Sequence, residues 1–219
     1  MIRRPTRLLT TAVAGTTAVL LLTGCGGGDG GGSKANDKIA GADTNTKTPT
    51  SPTPSATAAG RPQIELPSDL TLLFEDTKTG DPVRDAVMAD SAERMRAVDA
   101  AITGTDPKGE ALAYYNTGKA LEAALSWVAQ FKEAGATLTG QARYYDRKVT
   151  LRSGTSAALV FCADESKGFS KDKKTQKISK TSVTKNSYVL YNTRLDKNSD
   201  GVWQTSQIIS VRGAAQCQP

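Results

Sequence analysis

The sequence offers few side chains suited to catalysis. Its 219 residues include no histidine, which excludes a Ser-His-Asp or Cys-His catalytic set and a histidine-ligated zinc or haem site. Asp164 and Glu165 form an adjacent carboxylate pair, and two carboxylates can serve as general acid and base. Neighbouring residues of a strand point to opposite faces. We therefore expect Asp164 to cap a turn or accept backbone N–H groups rather than share a site with Glu165.

Two other motifs match chemical signatures only in part. Residues 196–201 (DKNSDG) match the first half of a calcium-binding loop, but Gln207 stands where that loop needs a bidentate Glu. A hairpin turn explains the same residues and is favoured. Ser170 and Ser182 each begin an S-x-x-K sequence, the nucleophile box of penicillin-binding enzymes, but no companion boxes occur. We interpret both as chance and predict no metal site and no cofactor.

Positive charge is concentrated in residues 166–185. This segment contains seven lysines against one acid, Asp172. The first interpretation is a solvated loop or edge strand whose lysines discourage edge-to-edge pairing. The alternative is a docking patch for anionic lipid headgroups or an anionic wall polymer. The lysines assigned to such a contact are Lys171, Lys173, Lys174, Lys177 and Lys180.

The pattern of apolar residues predicts helices first and strands afterwards. Asp81 and Pro82 favour a helix start and Gly104 an end, and a second helical region covers residues 109–135, interrupted near 116–118. From there the apolar period becomes two, which predicts strands at 137–152, 156–164, 184–196 and 201–212. This order indicates an α+β domain with N-terminal helices packed on an antiparallel sheet of about four strands.

The first 24 residues are typical of an export signal. Arg3, Arg4 and Arg7 precede an apolar stretch over residues 8–22, which is shorter than the roughly 20 residues of a membrane span. Without these residues the chain keeps 25 basic and 22 acidic side chains, a net charge of +3. This mild excess does not indicate a nucleic-acid partner. The Arg3-Arg4 pair leaves twin-arginine export open as an alternative route.

The residues that follow this stretch are Leu22-Thr23-Gly24-Cys25, and they resemble the lipobox of bacterial lipoproteins. The resemblance implies cleavage after residue 24 and a lipid on Cys25, which would anchor the protein to the extracytoplasmic side of the cell membrane. An uncleaved anchor or an ordinary signal with a chance cysteine are the alternatives. Residues 25–62, rich in Gly, Thr, Pro and Ser, bury too little apolar area to fold and are predicted as a flexible tether. Residues 63–219 are the predicted globular domain.

Two cysteines remain for the domain. Cys162 lies in the most apolar predicted strand, and Cys217 follows the last strand. An exported chain meets an oxidising environment, which favours a structural disulfide between them. Its loop closure would stabilise the fold by about 4 kcal/mol. The alternative is a reactive thiol pair, but such pairs normally form a close Cys-x-x-Cys.

Four short motifs lie within the predicted domain. They are GKALEAAL from residue 118, KEAGATLTG from residue 132, ALVFCADES from residue 158, and GVW from residue 201. Together they resemble a group of exported actinobacterial proteins of the nuclear transport factor two-like superfamily. The resemblance covers about residues 80–217 and implies helices packed into a curved sheet, forming a cone with an internal pocket. Enzymes of that superfamily use Asp/His or Tyr/Asp sets inside the cone, and no such set matches here by position.

Two functions follow from these observations. The favoured one is a non-catalytic binding or interaction module in the cell envelope, which holds a small apolar ligand in the pocket or binds an envelope protein or polymer. The predicted pocket residues are Trp127, Phe131, Tyr144 and Phe161. The alternative is a small-molecule acid/base enzyme of the same fold, isomerase or dehydratase-like, which requires inward groups with raised or paired pKa values. The residues considered for that role are Asp146, Tyr145, Tyr188 and Asp164.

Overall fold

The computed structural model describes residues 60–75 and 78–219. The predicted signal peptide, Cys25 and the predicted tether up to residue 59 lie outside the described residues. Within the described ranges, no helix is long and apolar enough to cross a membrane.

The described chain contains one strand, then three helices, then five strands. The first strand is β1 (Leu70–Phe74), and the helices are α1 (Pro82–Thr103), α2 (Glu110–Tyr115) and α3 (Gly118–Glu133). The later strands are β2 (Ala136–Leu151), β3 (Ser156–Asp172), β4 (Ile178–Ser179), β5 (Tyr188–Lys197) and β6 (Trp203–Arg212). The predicted α+β class is confirmed. The predicted strand count is too low, because β1 and the two-residue β4 bring the sheet to six strands.

The strands form one sheet in the order β1-β2-β3-β5-β6, and β4 pairs with β3 beside this path. β1 runs parallel to β2 and all other pairs are antiparallel. The prediction of a purely antiparallel sheet is therefore wrong for one pair. The physical reason is that β1 precedes the helices, and the helices supply the long crossover that a parallel pair requires.

Helix α1 begins and ends where its local signals place it. The Asp81 carboxylate accepts the backbone N–H groups of Val83 (2.8 Å) and Arg84 (3.2 Å), which caps the helix start. Gly104 adopts φ 91° at the other end, a left-handed conformation that glycine tolerates best. The same helix packs Val87, Met88 and Met95 into the main apolar core.

The long strand β2 bends at two irregularities. Its pairing with β3 shifts register between Gln141 and Arg143 and again between Tyr145 and Lys148, and such bulges curve a sheet. Gly140 has φ 95°, and a Cβ atom there would lie 2.1 Å from the Lys167 carbonyl oxygen. Only glycine fits this close approach of β2 to β3. The curvature leaves space between the sheet and helices α1 and α3.

The structure confirms the predicted disulfide, which lies on the face of the sheet opposite to the helices. Cys162 of β3 is bonded to Cys217 in the short 3₁₀ turn Ala215–Cys217, with 5.4 Å between their Cα atoms. Tyr145, Tyr188 and Leu190 pack around this bridge. The disulfide therefore fastens the chain end to the middle of the sheet.

A buried ion pair fastens the start of the domain. Arg61 pairs with Asp90 of α1, whose side chain is only 2% exposed. The same carboxylate accepts the backbone N–H of Trp203 at 2.8 Å. Arg61 thus connects the beginning of the described chain to helix α1.

Candidate functional site

A cavity of about 820 Å³ lies between the sheet and helices α1 and α3. This volume is within the range typical of small-molecule sites. Residues 181–187, the continuation of the lysine-rich segment, contribute five side chains to its rim. Much of its wall is aliphatic, from Leu70, Leu72, Met95, Val98, Leu138 and Ala142.

Aromatic side chains complete the wall. Trp127 and Phe131 from α3 line the cavity and contact each other edge to face, with ring centroids 5.1 Å apart. Tyr144 from β2 also lines it. Phe161 differs from the prediction and lies behind the wall, because Tyr191, its partner on β5, stacks on it at 5.0 Å. Tyr191, which the sequence reasoning missed, lines the cavity in its place.

Helix α1 places two charged side chains in this largely apolar space, Arg94 and Asp99. Arg94 is 6% exposed, and its Nε donates to the Asn116 side-chain oxygen at 2.8 Å. The Asp99 carboxylate has no hydrogen-bond or ion-pair partner within residues 60–75 and 78–219. Asp99 is partly exposed and lines the cavity.

The pKa of Asp99 is raised to about 7. Burial is the main cause, and the nearby Glu165 carboxylate raises the pKa further while Arg94 opposes the shift. Glu165 itself is partnered: Arg212 donates to it at 2.7 Å and the Tyr191 hydroxyl at 3.4 Å. At neutral pH the cavity therefore contains a carboxyl group close to its titration midpoint.

The two cavity tyrosines are neutral hydrogen-bonding groups. Burial raises the pKa of Tyr144 and of Tyr191 well above 10, and the carboxylates of Asp99 and Glu165 act in the same direction. Both phenols therefore keep their protons throughout the physiological range. They offer O–H donors beside a carboxyl group.

The residues considered for acid/base catalysis do not line the cavity. Asp164 accepts the Ser166 N–H at 2.9 Å and lies 3.8 Å from Arg143. Tyr145 donates to the Cys217 carbonyl, and Tyr188 packs beside the disulfide. Asp146 occupies the β2 irregularity with φ 51°. Glu165 does line the cavity, and this placement follows from strand alternation on β3.

The five predicted contact lysines divide into two groups. Lys171 pairs with Asp69 at 2.6 Å, and Lys173 donates to the Ile102 carbonyl at 3.2 Å. Both lysines therefore make contacts within the domain. Lys174, Lys177 and Lys180 are exposed. They lie in the segment that continues directly into the cavity rim.

The calcium-loop-like motif forms a hairpin turn between β5 and β6. The Asn198 side-chain oxygen accepts the N–H groups of Asp200 (3.0 Å) and Val202 (2.9 Å). The Asp196 carboxylate accepts from Arg194 and from Ser206. In the part of the chain that the structure describes, no group of three or more His, Cys, Asp or Glu residues is arranged to hold a metal ion.

Comparison with known proteins yields structural similarity at low identity. No protein-family model and no curated protein sequence matches the chain. A ketosteroid isomerase-like protein from Erwinia carotovora atroseptica is 15% identical, and the match covers 60% of this chain and 97% of that one with a TM-score of 0.40. The intermembrane space region of the chloroplast protein ARC6 is 11% identical, covering 61% and 99% of the two chains with a TM-score of 0.41. We draw no functional argument from similarity at this level.

One signal in the sequence could have located the charged cavity residues. Met95 and Val98 belong to the apolar stripe of α1, and Arg94 and Asp99 flank them on the same helix face. Ionisable residues next to an apolar stripe are candidates for a functional site when they cannot reach bulk solvent. The sequence alone does not show that this stripe faces a cavity.

Proposed function

We propose that the protein is a lipid-anchored, extracytoplasmic binding module whose cavity holds a small apolar or amphipathic ligand. The observation that carries this proposal is the cavity of about 820 Å³, whose aliphatic and aromatic walls are combined with hydroxyl, amide and charged side chains. Its volume is in the range common for ligand sites, and this mixed lining suits an amphipathic ligand. Helices packed on a curved sheet around a cavity also support the proposed nuclear transport factor two-like domain.

The proposed anchoring rests on the lipobox-like sequence that ends at Cys25. A flexible tether of the predicted length would span roughly 30–35 Å and lift the domain away from the membrane surface. Metabolic labelling with an alkyne fatty acid tests this part: the full chain should be labelled and its Cys25→Ser variant should not. Equal labelling of both would overturn the anchoring proposal.

Native mass spectrometry of the protein released from its own membrane tests the ligand. We expect an excess mass that disappears on denaturation. Ala123 and Ala129 are both exposed on α3, but Ala123 lines the cavity and Ala129 lies outside it. Ala123→Trp should therefore reduce the liganded fraction, and Ala129→Trp should not. A bare mass for the unaltered protein would redirect the search to an envelope protein or polymer.

A small-molecule acid/base enzyme is the second candidate, and one observation favours it. Asp99 has a pKa of about 7 and faces the cavity together with Glu165 and Tyr144, which suits proton transfer near neutral pH. A ligand recovered from the cavity and incubated with the protein in D₂O would exchange carbon-bound hydrogen if this function were correct. Asp99→Asn would abolish that exchange. A bound ligand that exchanges no hydrogen supports the binding module.

A further inference from the structure

We infer that the cavity selects ligands that carry a basic amine on an apolar body, with the ammonium group bound by Asp99. This inference rests on the proposed function, because it requires the cavity to hold a ligand. It adds the chemical class of that ligand.

The charged side chains of the cavity differ in whether they already have a hydrogen-bond or ion-pair partner. Four charged side chains line it: Arg94, Asp99, Glu165 and Arg212. Glu165 and Arg212 form an ion pair at 2.7 Å. Arg94 is held by Asn116 at 2.8 Å and has its Nη1 3.1 Å from the Met95 sulfur. Among these four side chains, Asp99 alone has no hydrogen-bond or ion-pair partner in the described chain.

A carboxylate that lines the cavity without a hydrogen-bond or ion-pair partner gains most from a ligand that supplies one. Its negative charge is poorly solvated there, and a counter-charge at hydrogen-bonding distance restores the lost stabilisation. An ammonium group supplies both the charge and the N–H donors. A ligand carboxylate supplies neither to Asp99.

The walls around Asp99 also suit a cation with an apolar body. Trp127, Phe131 and Tyr144 present aromatic rings to the same cavity, and aromatic faces attract ammonium groups. Leu70, Leu72 and Val98 provide aliphatic surface for the remainder of the ligand.

The selection should depend on pH in a defined direction. The ionisable groups that face Asp99 are Glu165, Arg94, Tyr144 and Tyr191, and both tyrosines stay neutral. Protonation of Asp99 below about pH 7 removes the counter-charge, while an alkylamine stays protonated. Amine affinity should therefore rise from pH 5 to pH 8, and the affinity of an uncharged ligand should not.

The test is calorimetric titration with three probes that share a ten-carbon chain: decylammonium, decanol and decanoate. The protein is the predicted mature chain, residues 25–219, carrying Cys25→Ser; it lacks the apolar export stretch and the predicted lipidation site, which allows titration without detergent. At pH 8 we expect decylammonium to bind at least about tenfold more tightly than decanol, with decanoate weakest; tenfold corresponds to one pKa unit of electrostatic interaction. Asp99→Asn should lower the decylammonium affinity to that of decanol measured on the same variant.

Asp200→Asn is the matched control, because it removes the same charge from an exposed hairpin turn outside the cavity. It should leave all three affinities unchanged. Equal binding of decylammonium and decanol, or tightest binding of decanoate, would overturn the inference while leaving the binding module in place. Tightest binding of decanoate would indicate that Arg94, rather than Asp99, binds the polar end of the ligand. If none of the three probes binds, both the inference and the proposed function fail. Decanol binding to Asp99→Asn shows that this variant is folded.

Discussion

Two aspartates of helix α1, nine residues apart, have opposite environments. Asp90 is buried at the end of the domain where the chain enters, and it is fully engaged by Arg61 and by the Trp203 N–H. Asp99 faces the cavity, and in the described chain it has no hydrogen-bond or ion-pair partner. Both sit on one helix of 22 residues. The comparison separates Asp90, whose carboxylate is engaged within the protein, from Asp99, whose carboxylate is available to the ligand proposed above.

The largest loss of stability is expected when Asp90 is replaced. Asp90→Ala would leave the Arg61 guanidinium and the buried Trp203 N–H without their acceptor. Removing one partner of a buried pair costs about 3–5 kcal/mol of unfolding free energy, and we expect a loss at the lower end because Arg61 is 26% exposed. Urea unfolding measures it. Glu93→Gln, which breaks the half-exposed pair with Arg96 at 2.8 Å, is the control and should cost less than about 1 kcal/mol.

A change in stability of the opposite sign is expected when Asp99 is replaced by Asn. Its pKa of about 7 in the folded protein lies above the ordinary 3.8, so the folded state binds the proton more tightly than the unfolded state. Stability from this group is therefore present below pH 4 and is lost as the pH rises to 7. Asp99→Asn should stabilise the protein at pH 8, by at most about 4 kcal/mol, and should have little effect at pH 4.

Thermal unfolding at pH 4 and pH 8 measures this difference. Asp200→Asn, in the exposed turn, is the matched control. If Asp99→Asn destabilises the protein at pH 8 as Asp90→Ala does, the two aspartates share a structural role, and the contrast between them is wrong.

The smallest effect is expected at the lysines, which also divide into exposed side chains and a paired one. Lys174, Lys177 and Lys180 are exposed, whereas Lys171 is paired with Asp69. If the segment docks on anionic lipid, Lys→Gln at each exposed position should weaken binding to vesicles that contain phosphatidylglycerol, by roughly fivefold or less per residue. Lys171→Gln should change the melting temperature and should have little effect on the vesicle affinity. Unchanged binding by the triple variant would favour the solvated-loop interpretation.

Local signals in the sequence predict much of this fold. The cap at Asp81, the end at Gly104 and the interruption at residues 116–118 all depend on near neighbours, and the structure has them. Strand β1 was missed because its five residues pair in parallel with β2, some 70 positions away. A short apolar run has no period that distinguishes a strand from a helix turn. The disulfide was predictable because the predicted domain contains two cysteines, Cys162 and Cys217, which allow a single pairing.

The candidate site was less predictable, for a physical reason. Aromatic residues of an apolar stripe have the same pattern whether they fill a core or line a cavity, so Phe161 and Tyr144 could not be separated. The cavity depends on the curvature of β2 at Gly140 and at the two register shifts. Asp99 lies beside the apolar stripe of α1, but the sequence alone does not show whether that position faces a cavity or solvent. Its role emerges only when the sheet and helices α1 and α3 are placed together.

The ion pair between Arg61 and Asp90 also determines where a mechanical load would enter the domain. If Cys25 is anchored as proposed, a pull along the tether arrives at Arg61 and passes through a buried contact into helix α1. The same helix supplies Asp99 to the cavity wall about 13 Å further along its axis. Drag on the domain would thus bear directly on the element that shapes the cavity. On these proposals, the cavity and the point of attachment both depend on helix α1.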